Sequence, residues 1–274
     1  MNRPSFLQFN GQLRSLDLPM VMGILNVTAD SFFDGGKYTT EEAILKRVQQ
    51  MMDEGADLID IGAVSTRPGA ADISEDAELR AITSTVELIH SHFPKVLLSI
   101  DTWRASVARE AIRRGAALIN DVSGGTFDEL MIPLIGAEQV PYCLMHTPAK
   151  PDIMQQCTHY GNLLADMLRF FDVQLDKLQR LFVHDILIDP GFGFGKTLEQ
   201  NQFLIRNLDA FKIFGFPLLI GISRKSMIYK TLGCTPQEAL NGTTVLNTMA
   251  ILQGASILRV HDVKEAVEIC KLVH

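Results

Sequence analysis

The chain has 274 residues, of which 47% are apolar and 21% are charged, and its 25 Lys and Arg against 32 Asp and Glu give a formal net charge of −7. An acidic chain without a cluster of Lys and Arg lacks the electrostatic footprint of a nucleic-acid-binding protein. No segment approaches the ~20 consecutive apolar residues that span a bilayer, and polar residues and Pro interrupt the N-terminal segment, so it cannot be the core of a signal peptide.

The cysteines indicate the compartment. Cys143, Cys157, Cys234 and Cys270 form no CxxC pair and no metal-like cluster with histidine. We therefore expect a reduced, cytoplasmic protein that binds neither nucleic acid nor membrane. At this length, one α/β barrel or two smaller domains are both compatible with the composition.

Near the N-terminus, apolar residues flank an Asn10-Gly11 step within residues 6–16. Asn-Gly favours a type I′ turn, in which both central residues have positive φ. This pattern predicts a β-hairpin.

Short apolar runs then alternate with helical stretches to the end of the chain. Eight runs are predicted as strands: residues 20–26, 57–61, 96–101, 117–122, 140–146, 185–189, 217–223 and 256–261. The runs are apolar throughout rather than alternating, which is typical of a parallel sheet that is buried on both faces.

The stretches between the strands have helical caps and spacing. Thr39 and Glu42 predict a capping box for the first helix, and Ser74 predicts the cap of the second. Further helices are predicted over residues 104–114, 127–135, 162–181, 198–211, 236–253 and 263–272. The alternation predicts a (β/α)8 TIM barrel, one domain over residues 1–274, whose N-terminal hairpin closes the barrel bottom. A doubly wound sheet would carry fewer strands or an obvious second domain.

Three segments repeat one short pattern. Residues 55–60, 115–120 and 254–259 each start with a Gly that ends a helix, continue into a strand, and finish on a polar residue. Barrel closure requires only the glycine and the apolar residues. The polar endings, Asp60, Asn120 and Arg259, are therefore the part that the fold alone does not explain.

Nearly every predicted strand ends on polar residues, and a barrel brings these ends to the face where its active sites lie. The set is Asn26, Asp60, Asp101, Asn120 with Asp121, His146, Asp189, Lys225 just beyond its strand, and Arg259 with His261. Any one of them alone is better explained as a helix cap or turn former.

The set divides by chemistry. Asp101, Asn120 and Asp189 offer acceptors that suit the edge of a nitrogen heterocycle with N–H and NH2 groups. Lys225, Arg259, His261 and Asn26 offer donors and positive charge that suit phosphate, and residues 223–226 open a short helix whose amides add to this site. Alternatively, Lys225 and Arg259 form ion pairs with Asp101 or Asp189.

Three further segments are predicted as loops. Residues 28–36 and 65–69 combine Gly or Pro with polar residues, a composition found both in lids over active sites and in plain surface turns. Residues 189–197 look like a phosphate loop, but Pro190 stands where a Walker motif needs Gly. Its glycines are instead predicted to let the backbone and Phe194 approach a flat ligand.

Taken together, five segments resemble the dihydropteroate synthase family. They are MGILNVTADSFFDGG at 22–36, STRPGA at 65–70, DPGFGFGK at 189–196, SRKS at 223–226 and RVHD at 259–262. The resemblance runs in order from about Pro19 to the C-terminus. It implies a (β/α)8 barrel that condenses p-aminobenzoate with 7,8-dihydropterin-6-ylmethyl diphosphate, releases pyrophosphate, uses Mg²⁺, forms a homodimer and is a target of sulfonamides.

The resemblance also implies roles for individual residues. The pterin would be held by Asp101, Asn120, Asp189, Lys225 and Gly221 over Met145; the diphosphate by Arg259, His261 and Asn26, with Asn26 also reaching the metal; and p-aminobenzoate by Phe32, Thr66, Arg67, Pro68, Phe194 and Ser226. Asp101, Lys225, Arg259, His261 and the loop carboxylate Asp34 would be catalytic.

Three positions depart from the family pattern, and two other functions compete with this one. Ala29 replaces the usual Pro, Val64 stands where many relatives have an acidic residue, and Trp103 replaces a smaller polar residue. A pterin-binding methyltransferase domain acting with a corrinoid protein would share the acceptors but would not need Arg259, His261, Lys225 or the 65–68 segment. An inactive relative that serves as a scaffold would not need the whole set.

Overall fold

The computed structural model describes residues 6–27, 40–64 and 73–273. The chain starts with a hairpin in which β1 (Phe6–Phe9) pairs antiparallel with β2 (Gln12–Ser15). Asn10 and Gly11 have φ of 47° and 78°, which confirms the predicted type I′ turn. Leu7 and Phe9 are buried against the barrel residues Met22 and Leu187, so the hairpin covers the barrel bottom as predicted.

Eight parallel strands form the barrel, and all eight correspond to predicted strands. They are β3 (Met20–Asn26), β4 (Leu58–Gly62), β5 (Leu97–Asp101), β6 (Leu118–Asp121), β7 (Tyr142–Met145), β8 (Ile186–Asp189), β9 (Leu219–Ile220) and β10 (Ile257–Val260). The strands from β3 to β8 pair in chain order, and β10 pairs with both β3 and β9. A parallel bridge between Ile188 and Leu218 closes the ring.

The strand β9 is the main difference from the predicted strands, since it has two residues instead of the predicted seven over 217–223. On its β8 side, pairing is limited to the bridge at Leu218. Pro190 follows β8 directly and has no N–H with which to continue the ladder. The chain after Ile220 is therefore irregular at the barrel mouth.

Nine α-helices lie within the described residues. They are α1 (Glu41–Asp53), α2 (Glu75–His92), α3 (Ala105–Arg113), α4 (Met131–Glu138), α5 (Leu163–Arg180), α6 (Leu198–Arg206), α7 (Ser226–Leu232), α8 (Leu240–Leu252) and α9 (Val263–Val273). Their apolar faces and the outward-facing strand residues form one large core cluster. None of these helices has the length and apolar character needed to cross a bilayer.

Four helix predictions are corrected by the structure. The cap of α1 is Thr40, one residue after the predicted Thr39, because its hydroxyl accepts from Ala43 N at 3.2 Å. The predicted helix 127–135 begins later, at Met131, because Asp128 turns the preceding backbone by accepting from Leu130 N at 3.0 Å. The predicted helices 198–211 and 236–253 each divide into an α-helix and a 3-10 turn.

The three repeated segments share a backbone conformation. Gly55, Gly115 and Gly254 have φ of 98°, 95° and 96°, a region open to glycine and costly for other residues. Each glycine therefore gives the same sharp turn from helix into strand. As a result, β4, β6 and β10 start equivalently, and their polar endings, Asp60, Asn120 and Arg259, reach the same level of the barrel.

Candidate active site

Asp60 connects the three polar endings at the barrel mouth. Its carboxylate is fully buried; Oδ2 accepts from Arg259 Nε at 2.6 Å and from Asn120 Nδ2 at 3.1 Å, and Oδ1 accepts from the Ser99 hydroxyl at 2.5 Å. Residues far apart in sequence thus meet in one hydrogen-bonded group. Asp60 was among the polar strand ends but was not predicted as a site residue, and Ser99 was not singled out at all.

Arg259 also forms an ion pair with Asp101, through Nη2 at 2.7 Å from Oδ2. This is the alternative that the sequence left open for Arg259. Burial raises the pKa of Asp101, and the guanidinium of Arg259 acts against that rise. Since Nε and Nη2 are engaged and Nη1 has no hydrogen bond to a residue of the described ranges, one edge of the guanidinium is available to an anion.

Lys225 and Asp189 form the opposite side of the mouth. The ammonium of Lys225 donates to the carbonyl of Phe192 at 2.6 Å and lies 4.6 Å from the centre of the Phe194 ring. Burial lowers its pKa to about 8, while Asp189 acts in the other direction. Burial likewise raises the pKa of Asp189, whose Oδ1 accepts from Gly191 N at 2.7 Å. A cation and an acceptor therefore lie beside an aromatic ring.

His261 is held as a neutral imidazole. Its Nδ1 lies 3.0 Å from the Ser223 hydroxyl, which also accepts from His261 N at 3.2 Å, and Arg47 Nη2 donates to its carbonyl at 2.6 Å. Burial, together with the charges of Arg259 and other nearby cations, lowers its pKa to about 3. At neutral pH, His261 therefore contributes hydrogen bonds to the site and no positive charge.

The remaining predicted residues of the described ranges also lie at this mouth. Asn26 and Asp101 both flank Gly62, where an added Cβ would lie 3.5 Å from Asn26 Oδ1 and 3.6 Å from Asp101 Oδ2. A Cβ on Gly221 would lie 3.8 Å from Arg259 Cβ and 4.0 Å from Lys225 Nζ. Met145 is buried at the end of β7, and Ser226 is the first residue of α7. Phe32, Asp34, Thr66, Arg67 and Pro68, as well as Ala29, lie outside the described residues.

Lys196 organises the loop after β8 and was not predicted as a site residue. It is 4% exposed, and its ammonium donates to the carbonyls of Gly191 and Phe194, each at 2.9 Å, and to His146 Nδ1 at 3.1 Å. Burial lowers the pKa of Lys196 to about 7. The pKa of His146 is lowered to about 2 by its own burial and by the charge of Lys196. The sequence signal that could have pointed to Lys196 is the similarity of residues 189–197 to a phosphate loop. The lysine of a phosphate loop reaches a ligand, whereas Lys196 binds the carbonyls of its own loop.

Trp103 and Val64, two of the departures from the family pattern, border a cleft beside this mouth. The Trp103 ring packs edge-on against Phe127, with centroids 6.2 Å apart, and lies 5.3 Å from the guanidinium carbon of Arg104. Arg104 in turn forms an ion pair with the buried Glu78. The large indole is therefore accommodated by packing across the β5 and β6 ends.

We expect His146 to make folding sensitive to mild acid. Its folded pKa of about 2 lies below the ordinary value of 6.5, so below pH 6.5 the unfolded chain binds a proton that the folded chain does not. The corresponding stability is complete above pH 6.5 and decreases as the pH falls towards the folded pKa, by about 1 kcal/mol between pH 7 and 5.5.

The measurement compares urea unfolding of the unchanged protein and His146→Asn at both pH values. The Asn side chain keeps an acceptor for Lys196 but does not titrate. The comparison also cancels the opposite contribution of Asp101 and Asp189, whose pKa values are raised. The unchanged protein should lose about 1 kcal/mol more than the variant. Equal losses would contradict the burial of a neutral His146.

A barrel whose mouth combines carboxylate and amide acceptors with partly buried cations is built to hold a polar heterocycle and an anion. The sequence pattern of the pterin-binding enzyme family matches residues 22–261, and the chain belongs to this family.

Its relatives narrow the family to one enzyme. The dihydropteroate synthase of Synechocystis sp. is 43% identical over 255 residues, covering 92% of this chain and 88% of that protein. The dihydropteroate synthase of Escherichia coli K12 is 42% identical over 263 residues, covering 94% and 93%. The Yersinia pestis dihydropteroate synthase, whose crystal structure contains a sulfonamide drug complex, superposes with a TM-score of 0.93 at 41% identity and 98% coverage of both chains. The chain is accordingly a transferase of folate biosynthesis within the dihydropteroate synthases.

Proposed function

We propose that the barrel mouth condenses p-aminobenzoate with 7,8-dihydropterin-6-ylmethyl diphosphate to give 7,8-dihydropteroate and pyrophosphate. The observation that carries this proposal is the position of Arg259 between the acceptors of Asp60 and Asp101, with one guanidinium edge available to an anion. Asp101, Asn120 and Asp189 then accept from the N–H and NH2 groups of the pterin, over Met145 and beside Gly221. Lys225 donates to the ring at the opposite edge.

The diphosphate is the leaving group, and preorganised donors stabilise the charge that develops on it. The bond between the pterin methylene carbon and the diphosphate oxygen breaks with its electron pair on oxygen. Arg259, Lys225 and the His261 imidazole face this charge without having to reorganise. The carboxylates of Asp101 and Asp34 offset the positive charge on the pterin-methyl group.

The arylamine nitrogen of p-aminobenzoate then bonds to the methylene carbon and loses one proton, which the released pyrophosphate takes up. The reaction needs no covalent bond to the enzyme. The proposed p-aminobenzoate pocket consists of Phe32, Thr66, Arg67, Pro68, Phe194 and Ser226. Within it, the Phe194 ring supplies a flat surface 4.6 Å from the Lys225 ammonium, which brings the second substrate next to the pterin site.

Mg²⁺ is the proposed metal, and Asn26 is its proposed protein ligand. Mg²⁺ commonly takes one or two protein oxygens and completes its shell with substrate phosphates and water. The amide oxygen of Asn26, beside Asp101 over Gly62, is a donor of this type. No group of three or more His, Cys, Asp or Glu able to hold a metal occurs in residues 6–27, 40–64 and 73–273. When bound, the ion neutralises charge on the diphosphate.

We also propose the context in which the chain works. Residues 1–274 form a single domain, since the helices pack into one cluster around the barrel. The free cysteines, including the buried Cys143, suit a reducing cytoplasm. For the homodimer, Leu232 and Val245 are 57% and 51% exposed along a groove of α6, α7 and α8, and this is the surface we propose for it. Sedimentation as a monomer at micromolar concentration would contradict the dimer.

The deciding experiment is pyrophosphate release. We expect release only when the pterin diphosphate and p-aminobenzoate are both present, which separates this function from a corrinoid-linked methyltransferase and from an inactive scaffold. Sulfamethoxazole should inhibit competitively, because its arylamine and polar oxygens match those of p-aminobenzoate. Release that does not depend on p-aminobenzoate, or inhibition that excess p-aminobenzoate leaves unchanged, would contradict the proposed pocket.

A further inference from the structure

The carboxylate of Asp60 at the barrel mouth is completely buried, and its hydrogen-bond partners lie on three different strands. Ser99 on β5 donates to its Oδ1, and Asn120 on β6 and Arg259 on β10 both donate to its Oδ2. Two of these partners, Asn120 and Arg259, are proposed to bind the pterin and the diphosphate. Asp60 itself lies behind both.

We propose that Asp60 is a positioning residue that sets which end of the Asn120 amide meets the pterin and holds Arg259 in place for the diphosphate. This inference rests on the proposed function, because it concerns how the two binding residues are oriented. It adds a determinant of specificity that is not itself in contact with either substrate.

The argument for Asn120 is one of donors and acceptors. An ionised carboxylate only accepts hydrogen bonds, and the amide has a donor end and an acceptor end. With Nδ2 at 3.1 Å from Asp60 Oδ2, the amide has the orientation that makes a charge-assisted bond. The flipped amide would place Oδ1 against the carboxylate, with a repulsion and a lost bond. Oδ1 has no partner among the residues that the structure describes, so it is presented to the ligand as an acceptor.

This orientation defines the ligand chemistry at one point of the site. An acceptor facing inwards selects a ring edge with N–H or NH2 groups and disfavours a ring edge that has a carbonyl there, because two acceptors would face each other without a shared proton. Asp60 therefore determines, through Asn120, that the amino edge of a pterin is favoured over the oxo edge of a related heterocycle.

The argument for Arg259 is one of charge. Asp101 holds Arg259 through Nη2, yet Asp101 is also proposed to accept from the pterin. A ligand that engages Asp101 weakens that ion pair. Asp60 faces no ligand, so its bond to Nε at 2.6 Å persists when the substrate binds. It thereby keeps the guanidinium at the mouth through the whole reaction.

The test measures binding of 6-hydroxymethylpterin, which lacks the diphosphate, by calorimetry on the full chain. We expect Asp60→Ala to weaken binding by at least about tenfold, since Asn120 is then free to flip and loses a charge-assisted bond. Asp60→Asn should bind within about threefold of the unchanged protein, because its amide oxygen can face Asn120 and Arg259 while its NH2 group donates to Ser99. Ser99→Ala is the matched control, also within about threefold, as it spares both bonds to Oδ2.

A double-mutant cycle distinguishes positioning from general damage. In an Asn120→Ala background, Asp60→Ala should weaken pterin binding by less than about twofold further, because the residue through which it acts is gone. Independent, multiplicative losses would overturn the inference, and so would a tenfold loss in Asp60→Asn. The proposed function is tested separately by pyrophosphate release from the unchanged protein, so its failure is distinguishable.

A second measurement does not depend on any variant folding. Neutron diffraction on deuterium-exchanged crystals of the unchanged protein with 6-hydroxymethylpterin distinguishes the deuterated amide nitrogen of Asn120 from its amide oxygen. We expect the nitrogen to face Asp60 and the oxygen to face the pterin. The reverse orientation would overturn the inference.

Discussion

Replacing Lys225 with alanine should lower kcat/KM by about 10²–10³ while the protein stays folded. The ammonium faces Asp189 and the Phe194 ring and makes one hydrogen bond to the Phe192 carbonyl. Loss of a preorganised donor to developing charge typically costs two to three orders of magnitude, roughly 3–4 kcal/mol. Its one hydrogen bond to a described residue is the bond to the Phe192 carbonyl, so the fold loses that contact and the charge that faces Asp189.

Replacing Arg259 with alanine should lower kcat/KM at least as much, and it should also destabilise the fold. Its removal leaves the fully buried Asp60 and the neighbouring Asp101 without their cation. Removing one partner of a buried ion pair costs about 3–5 kcal/mol.

The two variants are measured side by side, by steady-state kinetics and urea unfolding. Lys230→Ala is the matched control, since Lys230 lies on the same helix as Ser226 and is exposed. It should leave both properties unchanged. Near-normal turnover in a folded Lys225→Ala or Arg259→Ala would contradict the proposed anion site, and an unchanged free energy of unfolding in Arg259→Ala would contradict its pairing with Asp60.

The barrel could be predicted from the sequence because each of its strands and turns is marked by residues that are neighbours in the chain. A strand buried on both faces is a short apolar run, and a glycine such as Gly55 marks the turn into it. The eight strands follow from these patterns, and so does the hairpin at Asn10-Gly11. The 3-10 turn that precedes α8 is capped by the side chains of Thr235 and Glu238, a contact that was not evident from periodicity.

The site could be predicted only in outline. Its polar strand ends are visible in the sequence, but which of them pair depends on the register between strands far apart in the chain. Arg259 and Asp60 are 199 positions apart, and their contact requires β10 and β4 to lie on either side of β3. The direction of the Lys196 side chain depends on three glycines with positive φ, at 191, 193 and 195, a loop conformation that no periodicity encodes.

Lys196→Met should combine a loss of stability with a loss of activity, although Lys196 lies beneath the site. The variant keeps the length of the side chain and removes a buried ammonium that donates to Gly191, Phe194 and His146. Hydrogen bonds to a charged group are worth about 1.5–3 kcal/mol each, and unpaired buried carbonyls add to the loss. We therefore expect the free energy of unfolding to fall by about 3 kcal/mol or more.

The same change should reduce kcat/KM by about tenfold or more through the loop it anchors. The Phe192 carbonyl holds the Lys225 ammonium, and the Phe194 ring lies against it, so a displaced loop misplaces both. If Lys196 acts by this route, its effect on kcat/KM should be smaller in a Lys225→Ala background, where only the Phe194 ring remains to be misplaced, whereas its effect on unfolding should persist. Lys150→Met, at an exposed lysine in the loop after β7, should change neither. Full activity in a folded Lys196→Met, or a kinetic loss undiminished without Lys225, would show that the loop after β8 is positioned by other contacts.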